Sequence, residues 1–373
     1  MAHNATGRRQ RPALIVGNFL SASIETTCPC EELSKRLAAE GRTVLTASHY
    51  LSRPARLLDM VWTAWSRRNR YDVAQVDVYG GRSFLWAEAV CAAMRRAGKP
   101  YVLTLHSGTF PEFASRNAER VRRLLDSAAA VTAPSGYLVE KMRPYRSDIR
   151  MIPNAIELER YPFQPRRRAA PALVWLRAFH AMYNAELAPK VIALLKPEFP
   201  DIRLIMAGRD KGDGSLQRTR HVAESLGVRA CIEFPGGVPK ADVPRWLNRG
   251  SIFLNTTNVD NMPVSVVEAM ACGLCTVSTD VGGIPYLLED GRDALLVPPG
   301  NAPAMAAAIK RLLLNAALAE RISTGGRLNA ERHGWGVVLS QWDELLDEVE
   351  IRCAGESGSD TIRAANLMGK GTS

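Results

Sequence analysis

The chain has 373 residues, 46% hydrophobic and 23% charged, with a formal net charge of +10. That composition is globular and large enough for two domains of ordinary size. No apolar run approaches the roughly 20 residues of a membrane-spanning helix, and the opening MAHNATGRRQRP lacks the apolar centre of a secretory signal.

Short apolar strands alternate with amphipathic helical patterns. Ala13–Val16, Val44–Thr46, Val73–Val78, Tyr101–Leu105, Val131–Ala133 and Met151–Ile152 are predicted strands of the first half, with helices over Glu31–Glu40 and Phe84–Arg96. This half also carries the charge: residues 1–168 hold 27 Lys and Arg against 15 Asp and Glu, a net of +12, whereas the remainder holds 21 against 23. Arginine runs such as Arg67-Arg68-Asn69-Arg70 and Arg120-Val121-Arg122-Arg123 favour anionic partners: an acidic lipid surface, a lipid-linked phosphate or an acidic glycan. The aromatic–basic interleaving of a nucleic-acid binder is missing.

The polar stretch Pro162–Pro171 reads as a linker, and places the first domain at 1–168 and the second at 169–334. Predicted strands of the second half are Leu173–Leu176, Leu204–Ala207, Ile232–Phe234, Ile252–Asn255, Thr276–Ser278 and Ala294–Val297, with a helix over Ala302–Leu314. Trp335–Arg352 is a last amphipathic helix, and residues 355–373 are small and polar, expected to be disordered. Alternation at this spacing means right-handed βαβ units. The expected fold class is therefore α/β, with two Rossmann-like domains and a nucleotide held at the carboxyl edge of one sheet, in a deep cleft. Seven cysteines without a regular framework suit a reducing cytoplasm, and all are expected to be structural.

The chemistry concentrates in Asp260–Pro299. A buried strand leads to a loop of Asp260, Asn261 and Met262, and Pro263 suits the first turn of a helix, where its missing N–H costs nothing. The amides of Val264 and Ser265 then open a helix N-terminus, a natural seat for a phosphate. Glu268 lies about one and a half turns further, within reach of a polyol such as ribose, while Asp260 stays on the loop beyond the phosphates.

Two carboxylates eight residues apart, followed by Ala269-Met270-Ala271-Cys272-Gly273, Val281-Gly282-Gly283-Ile284-Pro285 and Glu289-Asp290-Gly291, resemble the signature of retaining glycosyltransferase family 4, with Asp260 where that family usually has Glu. Pro153-Asn154-Ala155-Ile156 resembles its Ile-Pro-Asn-Gly segment, and Thr104-Leu105-His106-Ser107-Gly108 its Thr-x-His-Gly segment. The resemblance implies the GT-B arrangement of two Rossmann-like domains, a C-terminal helix (about 335–352) crossing back to the first, and transfer of a sugar from a UDP- or GDP-sugar to a hydroxyl of a lipid-linked or polysaccharide acceptor. It also implies no metal, in keeping with the lack of an Asp-x-Asp motif.

By this resemblance Arg177 binds the donor diphosphate, Asp260 the sugar hydroxyls and Glu268 the ribose, and His106 approaches the transferred sugar. Met262, Pro263, Val264 and Ser265 line the phosphates, Gly237 and Val238 the base, and His180 and Gly17 the same ligand. The family's donor-site lysine is replaced here by Met182 and Tyr183, and Lys211 is the expected stand-in. The family's glycine-rich loop is reduced to Gly17. These departures leave open a non-catalytic relative that binds a nucleotide-sugar or glycan. An epimerase of the same architecture fits the Glu268 segment less well, and a dinucleotide oxidoreductase would need a Gly-x-Gly-x-x-Gly. The expected location is cytoplasmic, with peripheral contact to the inner membrane face.

Overall fold

A computed structural model describes residues 12–20 and 28–368, with side chains described as far as Arg352. Of the reduced glycine loop that begins at Gly17, the segment Ser21–Ile24 lies outside the described residues. The chain divides into two compact units: one holds residues up to Pro134, Leu138–Ile152 and the chain from Val338 on; the other holds Ser135–Tyr137 and Pro153–Val337.

The first unit contains β1 (Ala13–Val16), α1 (Pro29–Ala39), β2 (Val44–Ala47), α2 (Arg53–Ser66), β3 (Val73–Val78), α3 (Phe84–Arg96), β4 (Tyr101–Leu105), α4 (Phe110–Arg116), α5 (Ala118–Asp126), β5 (Ala130–Ala133), α6 (Gly136–Met142) from Leu138 on, and β6 (Arg150–Met151). Its sheet is parallel in the order β2-β1-β3-β4-β5-β6. The strands β1, β4 and β5 are buried throughout, as continuous apolar runs in a parallel sheet require.

The second unit contains β7 (Ala172–Leu176), α7 (Leu187–Leu195), β8 (Arg203–Ala207), α8 (Ser215–Ser225), β9 (Ile232–Gly236), α9 (Val243–Leu247), β10 (Ile252–Asn255), α10 (Val264–Ala271), β11 (Cys275–Thr279), α11 (Ile284–Leu287), β12 (Ala294–Val297), α12 (Ala302–Leu314) and α13 (Ala316–Glu331). Its parallel sheet runs β12-β11-β10-β7-β8-β9. Trp175, Leu204 and Ile252 from these strands pack with Val191, Met305 and Ile309 in one core.

The border lies at Ile152/Pro153, not at 168. The segment 153–168 is tied into the second unit by Ile156 N–H donating to His333 O at 2.8 Å and Arg166 Nη2 to Gly250 O at 2.8 Å. Its polar, Pro/Arg-rich composition reflects these buried arginine contacts rather than a free linker.

The last helix, α14 (Trp335–Met368), continues through residues 355–368, which were expected to be disordered. Ala, Arg, Leu and Met in that stretch are good helix formers, and adding a turn to an existing helix costs far less than starting one. From Val338 it belongs with the first unit, where fully buried Arg42 binds Asp347 at 2.7 Å, Glu350 at 2.9 Å and Asp343 at 3.3 Å. Among the described residues no single helix is long and apolar enough to cross a membrane. The described cysteines are free, and burial raises the thiols of Cys91, Cys272 and Cys275 to about 12.

His333, buried beside Ile156, has Nδ1 without a partner, and burial with the nearby Arg332 lowers its pKa from 6.5 to about 4. Between those values the unfolded chain takes up a proton that the folded chain refuses, so stability falls as pH falls through this window. His333→Gln should flatten that slope by on the order of 2 kcal/mol, measured as urea unfolding at about pH 7 and about pH 4.5.

Candidate active site

In the second sheet β7 and β10 are neighbours although β8 and β9 intervene in the chain. The strand order reverses there, and ligands of doubly wound sheets bind outside the carboxyl ends at such a point. Arg177 follows β7 and the Asp260 loop follows β10. The Arg177 guanidinium contacts the Asp260 carboxylate and lies 4.3 Å from the Tyr183 ring centroid. Asp260 Oδ1 also accepts the Asn261 N–H at 2.9 Å. Burial lowers the pKa of Arg177, yet a guanidinium starts so high that it stays charged. Its Nε is buried without a partner, a donor left over for a ligand.

Two glycines let the loop close. Gly283 N–H donates to Asp260 O at 2.9 Å, and a Cβ at Gly283 would sit 1.7 Å from Asn261 O. Likewise a Cβ at Gly208 would sit 1.6 Å from Arg177 O. The matching of Val281-Gly282-Gly283 to a family pattern thus has a steric cause. Gly283→Ala should destabilise the second unit by about 2 kcal/mol, read as a lower melting temperature. Since φ at Gly283 is −85°, the penalty is steric and not conformational.

α10 begins one residue later than its sequence suggests: Pro263 is its N-cap, at φ −73° and ψ 105°, rather than a first-turn residue. Its extended ψ keeps it just outside the helix. Val264 and Ser265 supply the first amides, and the Val266 N–H bonds back to Pro263 O at 3.0 Å. Ser265 Oγ is buried without a partner, so a hydroxyl joins the amides at the positive end of the helix. Met262 is a core residue, 7% exposed, whose Sδ accepts the Asn154 N–H at 3.4 Å.

Glu268 is 3% exposed and is met by two groups that sequence reasoning missed. Tyr161 Oη donates to its Oε1 at 2.7 Å, and the Lys240 ammonium contacts the same oxygen. Lys211, the expected stand-in for the absent family lysine, is instead exposed on the loop after β8, where its N–H bonds Phe179 O at 3.2 Å. Lys240 is the lysine found on a site carboxylate, and its signal lay in Gly237-Val238-Pro239-Lys240 just after β9.

Gly237 accommodates Arg209, whose Cγ would be 2.6 Å from a Cβ there, while Val238 packs against the core that includes Met270. His180 caps the turn Ala181–Tyr183, its Nδ1 accepting from Met182 N–H at 3.2 Å. Asn184, which ends that turn, is left-handed at φ 45°, a conformation Asn tolerates better than most residues.

In the first unit His106 follows β4 and is 8% exposed. Its Nε2 lies 2.9 Å from Asp77 Oδ1, and its ring stacks on Tyr79 with centroids 4.8 Å apart. Burial raises the pKa of Asp77, but adjacent His106 and the bond from Gln75 outweigh it and hold the carboxyl below the usual range. Asp77 Oδ2 is buried without a partner. Asp77 is one of the residues lining a cavity of about 190 Å³, together with Gly17, Asn18, Arg53, Arg56, Tyr79 and Trp86 among others. Gly17 is therefore placed at the first sheet's own reversal, between β1 and β3, with Cys30 Sγ 2.5 Å and Asp77 Oδ2 2.8 Å from where a Cβ would be.

Residues 163–329 match the family model described as glycosyl transferases group 1, and residues 19–160 match the model described as glycosyltransferase family 4. The chain belongs to glycosyltransferase family 4. It is 26% identical over 271 residues to the D-inositol 3-phosphate glycosyltransferase of Streptomyces bingchenggensis, covering 67% of this chain and 59% of that protein. It is 27% identical over 266 residues to the phosphatidyl-myo-inositol mannosyltransferase of Mycobacterium leprae, covering 69% of each. The chain thus spans less than two thirds of the first of these relatives.

Among solved structures, sucrose-phosphate synthase of Thermosynechococcus elongatus superposes with a TM-score of 0.75 at 18% identity, over 91% of this chain and 99% of that one. Anabaena HepE in complex with UDP gives 0.73 at 16%, over 91% and 100%. The fold of this family 4 chain is accordingly that of the GT-B glycosyltransferases.

Proposed function

We propose that this chain is a retaining, metal-independent glycosyltransferase that moves a sugar from a nucleotide-diphosphate-sugar to a hydroxyl of a lipid-linked or polysaccharide acceptor. One observation carries the reading: Arg177, the Asp260 loop and the N-terminus of α10 converge at the carboxyl ends of β7 and β10, with Arg177 Nε and Ser265 Oγ buried and unspent. Relatives named for inositol-phosphate and phosphatidyl-inositol acceptors support the acceptor class, and the UDP and UDP-glucose complexes of HepE support UDP as the donor's nucleotide.

Breaking the bond between the anomeric carbon and the diphosphate builds negative charge on the leaving oxygen. The Arg177 fork and the Val264 and Ser265 amides stabilise it where it develops, the task a metal performs in other sites. Asp260 holds the donor sugar's hydroxyls and Glu268 the ribose. The acceptor oxygen forms the new bond on the face the phosphate leaves. Its proton passes to that phosphate, which departs as part of the nucleoside diphosphate, so no separate protein base is needed. In the first unit, His106, oriented by Asp77, is assigned a sugar-binding role of its own. A cytoplasmic location with peripheral membrane contact belongs to the same proposal.

Incubation with labelled UDP- and GDP-sugars and a lipid extract, in the presence of EDTA, tests it. Label moving into lipid with retained anomeric configuration is expected. Nucleotide binding without any transfer would favour a non-catalytic binding relative.

A further inference from the structure

Helix α2 presents two unlike faces. Arg56, Met60 and Ala64 point inward and are buried, and Arg53, Arg56 and Met60 line the cavity beside Asp77. On the other side Leu58, Trp62 and Trp65, spaced i, i+4 and i+7, form an apolar stripe that is 71%, 68% and 40% exposed. Tyr50 and Leu51, just before the helix, are 56% and 59% exposed, and Leu85 of neighbouring α3 is 55% exposed. Two tryptophans and a leucine left in water on one helix face mark a contact surface.

The charge around the stripe selects the partner. Arg53, Arg67, Arg70 and Arg82 are exposed and have no carboxylate partner among the described residues, while Arg68 stacks on Trp65 at 4.7 Å. The only carboxylate on α2 is Asp59, and nearby Asp72 is 3.8 Å from Lys99. An apolar stripe with Trp at its rim and arginines beside it fits the headgroup boundary of an anionic bilayer, where aromatic rings sit at the interface and guanidinium groups reach phosphates. The exposed guanidinium groups outnumber the two carboxylates, Asp59 and Asp72, an excess that an anionic surface requires and a protein partner does not.

We infer that α2 docks this chain on an anionic lipid surface through Leu58, Trp62 and Trp65, with Arg67 and Arg70 on the headgroups. The inference rests on the proposed transfer to a lipid-linked acceptor and gives it a geometry. The helix that lies on the bilayer also walls the cavity that Asp77 lines. An acceptor with its chain in the membrane then offers its polar head to that cavity without leaving the lipid.

Flotation of the full chain with vesicles of phosphatidylcholine alone, or mixed equally with phosphatidylglycerol, tests this. Binding to the mixed vesicles, a blue shift of tryptophan emission and weakening by salt are expected. The combined Leu58→Ser, Trp62→Ser and Trp65→Ser variant should bind at least about tenfold more weakly with an unchanged melting temperature. Arg67→Glu with Arg70→Glu should lose about tenfold on the anionic vesicles only. Equal binding by the stripe variant, or no preference for anionic vesicles, overturns the inference. So does a concentration-dependent dimer that the stripe variant abolishes while vesicles bind neither protein, since the face would then belong to a second copy. UDP binding measured on the same preparations separates the two readings: vesicle docking without UDP binding keeps this one and removes the transferase, and the reverse removes only this one.

Discussion

Arg177→Ala is expected to lower sugar transfer about a thousandfold, the scale of removing a preorganised donor from developing negative charge. Its guanidinium is fixed at the end of β7 by Asp260 and by the face of Tyr183, so it need not reorganise as charge moves to the phosphate. The substitution also strands the Asp260 carboxylate. The two side chains are 15% and 12% exposed, and breaking so buried a pair costs about 3 kcal/mol. Arg177→Ala combined with Asp260→Asn separates the effects, because melting temperature should recover while transfer does not. Arg177→Lys keeps the charge and loses the fork, and should fall between. Thermal melts and steady-state kinetics on these proteins check the account. A single variant within about threefold of the parent in kcat/KM would remove Arg177 from the chemistry.

Glu268→Gln is the second large effect, a loss of about a hundredfold in kcat/KM that falls mostly on KM. Glu268 is buried, and Tyr161 and Lys240 both converge on its Oε1, which fixes the carboxylate for the ribose-binding role proposed above. A neutral amide of the same shape keeps the packing and a bond from Tyr161 but gives up a charge-assisted acceptor. Lys240 then lies beside a neutral group, so Lys240→Met should cost far less in the Gln background than in the parent, a coupling that a double-mutant cycle reads directly. A KM unchanged in Glu268→Gln would mean that the carboxylate serves the fold alone.

Most of this architecture was legible in the residues. Strands such as Tyr101–Leu105 and Ile252–Asn255 coincide with their apolar runs because parallel strands are buried on both faces. The Asp260–Pro299 segment was legible for a steric reason: Gly283 must lack a side chain for Asn261 to approach. What periodicity could not show was partnership across the chain. Tyr161 and Lys240 lie 107 and 28 residues from Glu268, and no local pattern announces such contacts. The domain border was misplaced for the same reason, since Arg166 looks like a linker residue until its bonds to Gly250 are seen. The Leu58, Trp62 and Trp65 stripe has helical spacing, but only exposure tells an outward apolar face from an inward one.

Calorimetric titration of UDP into the purified chain, parent beside Arg177→Ala, tests the central claim most directly. The account predicts saturable one-to-one binding that Arg177→Ala weakens at least about thirtyfold, the value of one or two charge-assisted hydrogen bonds. Binding of equal strength in both proteins, or none in the parent with UDP or GDP, would contradict it.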